Sequence, residues 1–267
     1  MFLKNIINNI KLCLTVLFTL VYLIFFYLFP KIISNKVFIN LVSVFIYYLL
    51  NIDVNIHGNE NEFSKNRVLI MANHYHGIVD ASLIYNMYYK HNKNDLYTVV
   101  KSNIISDKTD GSFILNILSY IEDYIIKSFR FITYIRGDKE DGSNVKNIIT
   151  EYLNNDSNLL IFPEGTTTRK GLPKEFKTGI FRLAIEQKFN ILPITIMYDK
   201  DIGKLDNSEI DNSNIFDNKA KIYIHDMIDS NTDEFYKTND FMGLKNKTYD
   251  IICSPFKLKE NEKYNSE

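Results

Sequence analysis

The feature that most constrains this chain is the texture of everything after Asn51, where short runs rich in β-branched and aromatic residues alternate with windows of helical length. The strand-like runs are residues 52–56, 68–71, 96–100, 131–135, 159–162, 191–197 and 221–224. Helix-like windows lie between them at about 80–90, 113–126, 143–153 and 179–188. A βαβα order predicts an α/β fold with a largely parallel sheet flanked by helices, because parallel neighbours need a long crossover and a helix makes a compact one. In the last window Ile180, Leu183 and Ala184 recur at helical spacing, with Arg182 and Glu186 opposite, so one face packs on the sheet. Residues 199–218, rich in Asp and Asn and without periodicity, read as a surface loop.

Ahead of this region, residues 12–29 form a run of eighteen without a charge, closed by Pro30 and Lys31. As a helix it would be about 27 Å long, close to the roughly 30 Å hydrocarbon core of a bilayer. A cleavable signal peptide would have a shorter apolar core and a small-residue cleavage site, so an uncleaved N-terminal membrane helix is expected. Residues 37–50 form a second, shorter apolar stretch, read as interfacial, re-entrant or half of a hairpin. Lys4 and Lys11 on one side balance Lys31 and Lys36 on the other, which leaves topology open. The expected organisation is a membrane-anchoring region over 1–50, an α/β domain over 51–256 and a polar, frayed tail over 257–267.

Composition narrows the function. With 46% apolar and 14% aromatic residues the chain can bury a core, so disorder is excluded. Thirty-one basic and 32 acidic side chains give a net charge of -1, which offers no positive field for nucleic acid. Cys13 and Cys253 are too few for a disulfide framework or a Cys-based zinc site.

Four stretches carry chemistry. Asn73-His74-Tyr75-His76 precedes Asp80 directly after the second strand, at the end of a parallel strand where α/β proteins place reactive groups. A carboxylate that takes one ring N–H of a histidine leaves the other nitrogen free as a general base. Phe162-Pro163-Glu164-Gly165-Thr166-Thr167-Thr168-Arg169 is a strand that stops at Pro163 and turns through Gly165 into hydroxyls and a cation, a composition suited to an anion. Phe131 to Arg136 is a strand emptying an Arg into Gly137, and Phe176-Lys177-Thr178-Gly179 leads into a helix followed by Ile191-Leu192-Pro193-Ile194.

In this order the four stretches resemble the glycerolipid acyltransferase family, which makes phosphatidic acid and remodels lysophospholipids. That family has Asn-His, four residues and Asp; a strand ending in Arg; Phe-Pro-Glu-Gly-Thr; and a hydrophobic strand with Pro. The resemblance covers residues 68–197, and Phe162 to Thr166 is its most specific part. It implies transfer of a fatty acyl group from acyl-CoA, as co-substrate and with no bound cofactor, to the free hydroxyl of lysophosphatidic acid or a related lysophospholipid. It also implies His74 as the base oriented by Asp80, and Arg136 on the acceptor's phosphate. Glu164, Gly165, Thr166 and Arg169 would shape the pocket, and Lys101, at the end of the third strand, is a further phosphate candidate. Membrane lipids would be its surroundings, in the endoplasmic reticulum or another internal membrane.

Two departures bear on this. Five residues separate His74 from Asp80, and three separate His76 from Asp80. Either the turn holds one extra residue, or His76 has become the base; Asn73-His74 directly after the strand favours His74. Thr167 stands where the family often has Arg, so Arg169 would serve instead.

Competing readings are a metal site on His74, His76 and Asp80, with only His57, His91 and His225 as further imidazoles, an inactive acyltransferase-fold protein at the membrane, and a CoA-independent transacylase. A serine lipase lacks its Gly-x-Ser-x-Gly elbow. The enzymatic reading requires His74 and Glu164 to converge at one end of the sheet.

Overall fold

A computed structural model describes residues 43–44, 51–101, 130–135, 139–168, 171–199 and 219–264. The elements are β1 (Asp53–Gly58), a 3₁₀ turn (Glu60–Ser64), β2 (Val68–Ala72), α1 (Gly77–His91), β3 (Leu96–Lys101), β4 (Phe131–Tyr134), α2 (Lys139–Asn154), β5 (Asn158–Ile161), α3 (Gly179–Gln187), β6 (Asn190–Tyr198), β7 (Lys219–Ile224), α4 (Glu234–Lys237) and α5 (Phe241–Tyr264).

The strands form one seven-stranded sheet in the order β1-β7-β6-β2-β5-β3-β4. All its pairings are parallel except β6 with β7. The carboxyl ends of β2, β3, β4, β5 and β6 therefore open on the same edge of the sheet. Pairing of Ala72 with Ile194 leaves the last four residues of β6 projecting past the end of β2, alongside the loop that follows it.

Side-chain alternation divides the core in two. Val68, Ile70 and Ala72 of β2, with Leu192, Ile194 and Ile196 of β6, face α1 through Ile84, Tyr85 and Tyr88. Leu69 and Met71, with Leu159 and Ile191, face α2, α3 and α5 through Ile149, Phe181, Leu244 and Ile252. Both sheet faces are covered, which is why the central strands read as continuous apolar runs.

The expected helix at 113–126, the membrane helix at 12–29, nearly all of the second apolar stretch and most of the polar loop lie outside the described residues. Among the described residues no helix is long and apolar enough to cross a membrane. One expectation is corrected. The backbone stays helical past Lys257 to Tyr264, where a frayed tail was expected, because the Leu, Lys and Glu residues there are good helix formers continuing a helix already anchored on the core.

Candidate active site

The loop after β2 is fixed before any catalytic group is placed. The fully buried Asn73 donates from Nδ2 to the Ile196 carbonyl at 2.8 Å and accepts from the Ile196 amide at 2.7 Å. Its side-chain amide thus continues the β2–β6 ladder by one rung after the backbone has left it.

His74 comes next. Its Nδ1 lies 3.0 Å from Asp80 Oδ2, and its ring stacks on Phe162 with centroids 4.0 Å apart and planes 20° from parallel. Asp80 sits in the first turn of α1, fully buried, where the helix dipole favours a negative charge. It accepts the His76 backbone N–H at 2.6 Å and the Tyr198 hydroxyl, at Oδ1, at 2.7 Å. With Nδ1–H directed at the carboxylate, the lone pair of the neutral ring is on Nε2, and His74 lines the cavity described below. Between His74 and Asp80 the chain turns at Tyr75 and His76, the latter being the N-cap of α1. His76 reaches Asp80 through its backbone amide, while its ring lies edge-on to Tyr198, 6.3 Å between centroids.

Glu164 follows β5 on the neighbouring strand end and is 2% exposed. It accepts the His74 backbone N–H at 2.7 Å on one oxygen, and the Lys174 N–H at 2.8 Å and the Thr168 hydroxyl on the other. Burial pushes its pKa upward, and the three donors pull against that by stabilising the charged form. The Thr168 amide returns a bond to the His74 carbonyl at 2.6 Å. The two motif loops are thereby stitched together, and His74 and Glu164 converge as the sequence reading required. Gly165 makes the turn at φ 67°, a left-handed conformation that glycine adopts without strain.

A cavity of about 1050 Å³ opens beside His74. Val99, Val145, Ile149, Phe162, Ile180 and Leu183 give it an apolar wall, while Lys101, Thr166, Thr167 and Lys177 add polar groups. Lys101, Gly165 and Thr166 thus lie on the cavity. Glu164 does not appear on its wall; the carboxylate is committed to the two loops, and Thr168 is buried with it. Arg136 and Arg169 lie outside the described residues. Among the described residues no three His, Cys, Asp or Glu side chains gather as a metal site.

Tyr198 was absent from the sequence reading. The alternation Ile194, Ile196, Tyr198 places it on the face that meets α1, and that period was the available signal. Its hydroxyl is held protonated by burial and by the Asp80 charge beside it, which push its pKa well above the ordinary tyrosine value.

An α/β domain with a carboxylate-oriented imidazole at the strand ends, beside a largely apolar cavity, has the layout of an enzyme active site. The model of the Acyltransferase family matches residues 53–197, more than half of the chain, and the protein belongs to that family. Among solved structures it is similar in fold to the crystal structure of the 1-acyl-sn-glycerophosphate (LPA) acyltransferase, PlsC, from Thermotoga maritima, with a TM-score of 0.65 and 17% sequence identity. That match covers 96% of this chain and 98% of the other. No curated protein matches the sequence.

Proposed function

We propose that the protein transfers a fatty acyl group from acyl-CoA to the free hydroxyl of lysophosphatidic acid or a related lysophospholipid. The observation that carries this reading is the His74 ring, held by Asp80 at 3.0 Å and lining an apolar cavity large enough for an acyl chain. Nε2 removes the proton as the acceptor hydroxyl attacks the thioester carbonyl, and Asp80 stabilises the imidazolium that forms. Collapse of the tetrahedral intermediate breaks the carbon–sulfur bond, and the imidazolium returns its proton to the departing thiolate. No acyl-enzyme is needed. Lys101, Thr166 and Thr167 on the cavity, with Arg136 and Arg169, supply cations and hydroxyls for the acceptor's phosphate. The apolar run at 12–29 would hold the domain against the bilayer that contains both lipids, in the endoplasmic reticulum or another internal membrane.

The test is formation of phosphatidic acid by the detergent-purified protein from labelled acyl-CoA and lysophosphatidic acid, followed by a panel of other lyso-acceptors. His74→Ala is expected to reduce the rate by about 10²–10⁴-fold. Full activity in that variant would move the base elsewhere, and no transfer to any acceptor by the wild type would overturn the reading.

A further inference from the structure

We propose that Tyr198 is a positioning residue for this site: by donating its hydroxyl to Asp80 Oδ1, it holds the carboxylate so that Oδ2 stays on His74 and its charge is shared. The proposal rests on His74 being the base. Three donors converge on the fully buried Asp80 side chain. The His74 ring and the His76 amide take Oδ2, and Tyr198 bonds Oδ1 at 2.7 Å. A carboxylate bonded on one oxygen alone can pivot about its side-chain torsion, whereas one bonded on both cannot turn without breaking a contact.

Tyr198 is itself rigidly presented. It is the last residue of β6, paired with Ala220 of β7, and the next amide, Asp199 N–H, bonds the Lys219 carbonyl at 2.9 Å. The rings of Tyr75 and His76 both lie edge-on to it, each 6.3 Å away between centroids. Among the described residues, the charged or titratable groups whose residues bond the His74–Asp80 pair are Glu164 from the loop after β5, His76 from the start of α1 and Tyr198 from β6.

A donor on Oδ1 withdraws charge from the carboxylate and so limits how strongly it stabilises the imidazolium. Tyr198→Phe removes the donor and keeps the ring. The expected result is that His74 titrates higher by about half a pH unit or more, followed by NMR and assigned by the signal lost in His74→Gln. The acid limb of the kcat/KM profile should move by the same amount, and kcat should fall about tenfold with KM within about twofold. A purely structural tyrosine would lower the melting temperature and leave the titration in place, and superimposable titration curves would overturn the proposal. Should Tyr198→Phe fail to fold, a ring-fluorinated tyrosine at position 198, nearly isosteric and a stronger donor, must shift His74 downward; an unmoved signal refutes the assignment. The NMR titration decides this even if the wild type acylates no acceptor, a result that would remove the proposed function alone.

Discussion

Glu164 shows what one residue in a motif can conceal. By composition, a Glu at the end of a strand beside Gly, Thr and Arg belongs to a ligand pocket, and nothing in the local sequence says otherwise. In the fold both oxygens are turned inward onto the His74 and Lys174 amides and the Thr168 hydroxyl. Thr168 lies inside the motif, but the Lys174 and His74 amides are ten and ninety positions away and were not readable from it. Asn73, His74 and Asp80 were legible because the strand that precedes them ends within one residue of its apolar run. Glu164→Gln replaces one acceptor oxygen with an NH₂ group that faces donors. It should lower stability by about 1–3 kcal/mol, measured by thermal unfolding, and slow acyl transfer because the His74 loop loses its tether. Unaltered melting and activity would mean that the bonds to Glu164 do not hold the loop.

At the scale of elements, each of the seven strands coincides within two residues with a run visible in the sequence, since β-branched residues cluster where both sheet faces are covered. The antiparallel direction of β7 was not legible, because strand propensity carries no polarity. Nor was α5, whose apolar positions are interrupted by polar residues and by Pro255. Pro255 has no N–H for the Ile251 carbonyl, and the Ser254 hydroxyl bonds that carbonyl instead at 2.8 Å. The next carbonyl, of Ile252, receives the Thr195 hydroxyl of β6 at 2.7 Å. From the same helix Tyr249 donates to the Pro173 carbonyl at 2.9 Å, bracing the segment whose Lys174 amide bonds Glu164. Support for His74 thus runs back to α5. Thr195→Val keeps the shape and removes the hydroxyl that joins α5 to the sheet. A loss of about 1–3 kcal/mol is expected in thermal unfolding, with faster hydrogen exchange in α5. A variant as stable as the wild type would show that apolar packing alone docks the helix.

For the molecule as a whole, the same junction links stability to pH. Thr195 has one hydroxyl proton and gives it to Ile252, so its 2.8 Å contact with His225 Nε2 must use a proton from the ring. Neutral His225 can supply that proton as the Nε2–H tautomer, and burial holds its pKa below the usual histidine value. The unfolded chain therefore binds the proton more readily than the folded one. Stability from this group is complete above about pH 6.5 and is lost as pH falls through the depressed folded value. Glu164 works the other way: its raised pKa makes the folded state the better proton binder, so its contribution is present below about pH 4.5 and declines as pH rises through the folded value. A single stability curve mixes the two, but His225→Gln separates them, because Gln keeps an N–H donor for Thr195, does not titrate and leaves Glu164 in place. Denaturant unfolding of both proteins in one detergent should show the wild type losing stability relative to the variant as pH is lowered from about 7 to 5, with a slope below ~1.4 kcal/mol per pH unit since the ring is only partly buried. Parallel curves would place no proton-linked penalty at His225, and the acid sensitivity of the fold would have to arise from its carboxylates.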